Sequence, residues 1–589
     1  MSPRSNVFTP RPKPALVRAP IVSHAPDTDG IDPVSAGTPP EYSEPRIRPT
    51  LLESAILLGT AAWVVLLLAL RWPALWYPQF NSNSAIDSAF FTFAGQTVRA
   101  GGVPYLAFWD HKPPLIYLID ALALTVSGGA IWGVWLATVA ALLGTLGMGV
   151  IAWRRMFGVT AATIAAVWLA FAFDVVAPFN LTEGFALPAQ AAALLILARW
   201  SRAPGRVFIP ALGIGALAGL AFMLRPNLIG APAAVAITMV LVLLISRRMR
   251  ELPALFGGFL LGAALIIGPI LAWLGSAGAL GAFRDQVFHY NFVYSAASVR
   301  SRVRAAFEGV ALTTMYGSLI LPLAGWLLAA YRLRSIRRDA TLLPVLPVLI
   351  LCLVWTPLEL AFAAVPGRSY GHYFTPLLLS LASLVALCVC ELFAVADRAF
   401  PAKSSRRWRP MAAVALCAAL AIVPLGHVVF DVRDSGLRTL RTSQVQLTAQ
   451  YIRTHSAPDA PLLVWGHASD VYMFADRKPA SRFVYPLALL TPGYADSALV
   501  NGFLDELRTT APPLIVDATP NAPSAEALAP SLARWNPKWR YPASGVAWWT
   551  MTPAMQSVYD YVRANYVASA TVGPFRWVVY QRAADGGER

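Results

Sequence analysis

The stretch KPPLIYLIDALALTVSGG, residues 112–129, decides how the whole chain is read. Its apolar part, 115–127, holds about thirteen residues before a Ser-Gly-Gly, whereas a helix that crosses a bilayer needs about twenty. If it crosses, every later segment changes side; if it lies at the interface or re-enters, none does. Charge separates the two readings. With 115–127 not crossing, spans fall near 51–70, 131–152, 160–177, 184–199, 208–224, 228–246, 254–275, 309–331, 341–364, 374–396 and 411–430. Five connecting segments (WRR, RWSRAPGR, SRRMRE, YRLRSIRRD and DRAFPAKSSRRWR) then share one side and carry seventeen Arg and Lys. Cytoplasmic loops are enriched in such residues, so the N-terminus is placed inside and the C-terminal tail outside.

Composition supports the class. The 589 residues are 57% hydrophobic and only 13% charged, against roughly 25% charged in soluble domains. The net charge of +16 lies in short clusters between apolar runs rather than in one patch, which excludes a nucleic-acid partner. The four cysteines all fall inside expected spans, and their spacing fits neither a disulfide framework nor a metal site.

The expected architecture is an all-α polytopic membrane domain of about eleven transmembrane helices plus interfacial helices, followed by a soluble C-terminal α/β domain. Residues 1–49 read as a disordered cytoplasmic tail, being Pro- and Ser-rich without hydrophobic period. Residues 50–430 form the membrane domain. Its first outer loop, 71–113, contains the amphipathic stretch DSAFFTFAGQTVRAGG, which suits a helix lying in the interface. In 431–589, PLLVWGH, PPLIVDAT and RWVVYQR read as strands, and SQVQLTAQYIRTH and AMQSVYDYVRANY as helices. No repeat and no nucleotide-binding loop is present.

In this topology the polar residues near the membrane gather at the outer side. Asp87, Asp110, His111 and Lys112 lie in the first outer loop, Glu183 in FNLTEG, Arg225 in LRPN, His289 and Tyr290 in FHYNFVY, and Arg368, Tyr370, His372 and Tyr373 in PGRSYGHYF. Charges at membrane depth are costly and face a cavity or one another. Each also has a plainer reading. Asp87 would be a helix N-cap, Lys112 a snorkelling anchor, Asp110 a loop organiser paired with His111 or Lys112, and Glu183–Arg225 a structural pair. His372 would be an interfacial histidine, and His289 and Tyr290 members of an aromatic belt. As a set they fit a polyprenyl-phosphate-linked sugar: cations for the phosphate and a carboxylate to take the acceptor's proton. No ligand cluster calls for a metal or other cofactor, although a carboxylate pair could hold a divalent ion.

DSAFFTFAGQTVRAGGVPYLAFWDHKPPLIYLIDAL resembles the first outer loop of GT-C glycosyltransferases, and within them the protein O-mannosyltransferase and aminoarabinose-transferase group. NLTEGFALP and GRSYGHYFTPLLLSLASL resemble bacterial members of that group. The resemblance implies a multi-pass enzyme of the bacterial plasma membrane, Asp87 as the catalytic carboxylate and Lys112 as a phosphate contact. Arg225, Arg368 and His372 complete the expected phosphate site, with Asp110, Glu183, His289, Tyr290, Tyr370 and Tyr373 in support. The mannosyltransferases proper carry an acidic pair where Asp87 is followed by Ser88, so the acceptor stays open among glycan, lipid and protein. VWGHASDVYMFADRKPASRF, in the C-terminal domain, is placed as a segment that faces the site and helps choose the acceptor. A transporter or lipid flippase is the alternative; such sites lie near mid-bilayer, often in paired repeats.

Overall fold

The computed structural model describes residues 48–70, 83–176, 180–202, 205–314, 319–336, 345–399, 411–422, 426, 435–519 and 553–583. The expected tail over 1–49 lies almost wholly outside them. The chain opens with helix α1 (Leu51–Leu70), followed by α2 (Asn83–Arg99) and α3 (Leu115–Val126). Helices follow at Trp132–Phe157, Val159–Val176, Thr182–Trp200, Phe208–Leu224, Gly230–Ile245, Leu252–Ser276, Val299–Thr314, Ile320–Ser335, Leu346–Ala364 and Leu377–Ala399. Among the described residues, five helices are long and apolar enough to cross a membrane: Leu51–Ala69, Trp132–Phe157, Met249–Ser276, Leu346–Ala364 and Leu377–Ala399. The protein is a multi-pass membrane protein.

Helix α3 has 12 residues and is therefore about 18 Å long at 1.5 Å per residue, well short of a bilayer core. It starts where Pro113 and Pro114 end the loop, with Pro114 in a helical conformation as its N-cap. The expected span over 309–331 differs. The described helices there are Val299–Thr314 and Ile320–Ser335, on either side of residues 315–318. The first begins ten residues early and carries Arg300, Arg302 and Arg304, which are costly in hydrocarbon.

Close helix packing uses small residues. A Cβ on Gly215 would fall 1.9 Å from the Phe259 carbonyl oxygen, and one on Gly262 would fall 2.0 Å from that of Leu212. Helices 208–224 and 252–276 therefore approach backbone to backbone, as glycine permits inside a membrane.

The C-terminal part holds a four-stranded sheet of β1 (Leu462–Trp465), β2 (Leu514–Asp517), β3 (Tyr566–Val572) and β4 (Trp577–Arg582), in the order β1-β2-β4-β3. β1 and β2 run parallel; the other pairings are antiparallel. β1, β2 and β4 match the expected strands. β3 and the helix Ser497–Thr510 are additional. One hydrophobic core joins this sheet to the first loop: Phe90, Phe91, Phe93, Phe108, Trp109 and Tyr117 pack with Tyr290, Tyr472, Tyr485 and Leu487. The burial that stabilises the small domain thus also fixes the loop bearing Asp87 and Lys112.

Candidate active site

Lys112 is placed by its own backbone. Tyr105 sits in the left-handed region at φ 72°, an unusual conformation for a bulky residue. It is held there by Gln286, whose side-chain amide donates to the Tyr105 carbonyl at 2.9 Å. The Tyr105 hydroxyl then donates to the Lys112 carbonyl at 2.9 Å, and the Tyr117 hydroxyl, whose proton goes chiefly to Asp110, lies 3.2 Å from the same carbonyl. That carbonyl precedes two prolines, which offer it no N–H, and Tyr105 satisfies it. The ammonium group is left to point at Asp87, with Nζ 3.8 Å from Oδ2 and 4.9 Å from the Phe91 ring centre. Lys112 is buried, unlike a lysine whose ammonium snorkels to the headgroups. Burial would favour losing its proton, but Asp87 and Asp110 more than offset this and keep Lys112 cationic.

Asp87 lies within α2, four residues past its first residue, so it is not the N-cap. Its side chain is 30% exposed, and Oδ2 is also 4.0 Å from His372 Nε2. Neither partner is at hydrogen-bonding distance. His372 is buried, which lowers its pKa despite Glu183 and Asp87, so at neutral pH it faces Asp87 as an uncharged ring. It stacks on Tyr370 and meets Tyr373 edge-on, with ring centres 5.9 and 4.8 Å apart.

The aromatic line continues to the arginines. Arg225 caps the C-terminus of helix 208–224, lies over Tyr373 at 3.9 Å and bonds Glu183 at 2.5 Å. The buried Glu183 therefore counters much of the Arg225 charge. Arg368 lies over Tyr294 at 3.9 Å. Residues from five separate segments thus converge at one end of the helices, as a site requires.

Asp110 is differently placed. It is fully buried and accepts hydrogen bonds from the Tyr117 and Tyr485 hydroxyls, one on each carboxylate oxygen. Its amide donates to Gln286 at 3.1 Å, and His111 Nδ1 is 3.2 Å away. Burial pushes its carboxyl up, but Lys112, His111 and Tyr117 outweigh it and hold the group well below the usual carboxylate range. Asp110 ties the first loop to the C-terminal domain. Tyr290 is buried against Trp109 and donates to or accepts from Thr491 at 3.0 Å. His289 is turned away, 60% exposed and paired with Asp285 at 2.9 Å. These two act in packing and at the surface, not in the cavity wall.

The cavity beside Asp87 is small, about 30 Å³, and is lined by Asp87, Phe90, His111, Lys112, His467, Ser469, Tyr485 and Leu487. The last four belong to the C-terminal domain. His467 and Ser469 lie in the segment expected to face the site; Tyr485 and Leu487 lie just beyond it, and no local pattern marks them. Among the described residues, no three His, Cys, Asp or Glu side chains converge as metal ligands.

No protein-family model matches the chain, and no curated protein is similar to it in sequence. Solved structures are similar in fold. The crystal structure of ArnT from Cupriavidus metallidurans bound to undecaprenyl phosphate superposes with a TM-score of 0.53 at 15% identity, covering 92% of this chain and 99% of that one. Apo ArnT gives 0.52 at 14% identity, over 90% and 100%. The archaeal oligosaccharyltransferase AglB from Archaeoglobus fulgidus, in complex with an inhibitory peptide and a dolichol-phosphate, gives 0.44 at 14% identity over 79% and 69%. The chain has the ArnT-like membrane fold.

Proposed function

We propose that this protein is an integral-membrane glycosyltransferase that moves a sugar from a polyprenyl-phosphate donor to an extracytoplasmic acceptor, inverting the anomeric carbon. The observation that carries this reading is Asp87: a half-open carboxylate set 3.8 Å from a buried ammonium and 4.0 Å from a neutral imidazole, on the fold of a protein solved with undecaprenyl phosphate bound. With no short hydrogen bond from Lys112 or His372, Asp87 keeps lone pairs for the acceptor's proton. It takes the acceptor's proton as the acceptor oxygen attacks the anomeric carbon. The C–O bond to phosphate breaks, and its electron pair stays on the phosphate. Lys112 and Arg368 stabilise that charge, with Arg225 in a lesser part because Glu183 already pairs with it. The site opens outside the membrane, the N-terminus is cytoplasmic, and the prenyl chain lies along apolar helix faces among about eleven spans. Convergence of the charges at the helix ends, rather than at mid-bilayer, favours transfer over transport.

The test is mass spectrometry of lipid-linked sugars and envelope glycans in a strain lacking the gene. A polyprenyl-phosphate sugar should accumulate and one envelope component should lose a sugar. The wild-type gene should restore both, and Asp87→Asn neither. Unchanged pools in the deletion strain would overturn the reading.

A further inference from the structure

The wall that the small domain presents to Asp87 sits at a particular place in its sheet. β1 and β2 are parallel, and both run toward residues 466–470 and 518–519. In open α/β sheets, ligands bind beyond the carboxyl ends of parallel strands. Gly466 makes the turn out of β1 at φ 128°, where a side chain would be strained and would press on Ala518 at 3.1 Å. The next residues, His467 and Ser469, then line the cavity with Asp87 and Lys112. The sheet's binding edge and the candidate active site are thus one place.

The chemistry of this wall is uncharged. Burial pulls the His467 imidazole down to about 4, so it is neutral at neutral pH. Ser469 offers a hydroxyl, Leu487 is apolar, and the Tyr485 hydroxyl is engaged by Asp110. The charges on the cavity lining are Asp87 and Lys112, one of each sign. An anionic nucleophile such as a phosphate would set a second negative charge against Asp87, with Lys112 already engaged by the donor phosphate. An uncharged hydroxyl would meet a base, an imidazole and a serine.

We propose that the carboxyl edge of β1, through His467 and Ser469, is the acceptor subsite, and that it receives an uncharged hydroxyl rather than a phosphate. This rests on the transferase reading above and names the acceptor class for that same site. The hydroxyl proton passes to Asp87, the new bond is an O-glycosidic one, and polyprenyl phosphate leaves with the electron pair. His467 and Ser469 act by holding the hydroxyl group's neighbourhood, not by taking its proton.

The test uses the deletion strain carrying wild-type, His467→Gln or Ser469→Ala protein. The sugar-modified envelope component should survive mild acid, as an O-glycoside does, whereas a sugar joined through phosphate would be released. Each variant should restore about tenfold less product, as expected for loss of a hydrogen bond to substrate, while the donor lipid accumulates. Purified variants in nanodiscs should bind undecaprenyl phosphate like wild type and melt at the same temperature. An acid-labile product, wild-type yield from both variants, or a parallel loss of undecaprenyl phosphate binding would overturn the acceptor subsite and leave the transferase reading standing. A deletion that changes no lipid-linked sugar overturns both.

Discussion

Asp87, in α2, and Asp110, in the loop after it, both bear on the charge of Lys112, yet they are built for opposite purposes. Asp110 is fully buried, takes a tyrosine hydroxyl on each oxygen and reaches across to the C-terminal domain. Each of its oxygens already accepts a hydrogen bond, and burial closes it to an acceptor hydroxyl. Asp87 is partly open, and its cationic and imidazole neighbours stand beyond hydrogen-bonding distance. A carboxylate saturated with donors holds a structure together; one left under-coordinated beside a cation is available for proton transfer.

Substitutions can break or sharpen that contrast. The largest effect outside the two acids is expected at Lys112. Lys112→Ala should weaken undecaprenyl phosphate binding by about 10- to 100-fold, the scale of a charge-assisted hydrogen bond. Lys112→Arg should fall between, because a planar fork does not fit a pocket shaped for a compact ammonium. Binding by microscale thermophoresis in one lipid composition checks both. Wild-type affinity for Lys112→Arg would return Lys112 to an anchoring role.

A smaller effect is expected at Glu183. Glu183→Gln leaves the part-buried Arg225 over Tyr373 without its countercharge and should destabilise the protein by about 3 kcal/mol. It should still bind undecaprenyl phosphate, since Arg225 is freed rather than removed. Thermal unfolding and binding of the same preparation separate the two outcomes. A loss of binding at unchanged stability would place Glu183 in the phosphate site itself.

An effect confined to one pH range concerns Asp470 in the C-terminal domain. It is fully buried, and burial raises its carboxyl to about 8, above the roughly 3.9 of an unfolded chain. The folded form therefore keeps a proton that the unfolded form releases. Its contribution is fully present below about pH 4 and is lost as pH rises through 8. Asp470→Asn should raise the melting temperature by several degrees at pH 8 and leave it unchanged at pH 4. An equal gain at both pH values would show that packing, not ionisation, is responsible.

The sequence exposed the parts of the fold that follow from local physics. Apolar length marked α1, helix 132–157 and helix 377–399, and the Ser-Gly-Gly after 115–126 marked α3 as a short helix. Residue chemistry next to prolines picked out Lys112, and a helix rich in phenylalanine brought Asp87 with it. Contacts across long separations were not legible. Nothing near Asp110 shows that Tyr485 will donate to it from 375 positions away, so the sequence offers Asp110 only as a loop organiser paired with His111 or Lys112, or as a site residue. The same holds for Gln286, which fixes Tyr105 across 181 positions. His289 and His372 are each followed by a tyrosine, yet only His372 is packed toward Asp87. β3 escaped because YVASATV has few large apolar residues, being mostly solvent-facing on one strand edge.

The division of labour between the two acids is tested most directly by making Asp87→Asn and Asp110→Asn side by side and measuring sugar transfer and thermal unfolding on the same preparations. Asp87→Asn should fold and melt as wild type, bind undecaprenyl phosphate, and lose about 10²- to 10⁴-fold in turnover, the usual cost of removing a general base. Asp110→Asn should lose stability first, with turnover falling only as far as folded protein is lost. Near-normal turnover in a fully folded Asp87→Asn protein would contradict the account.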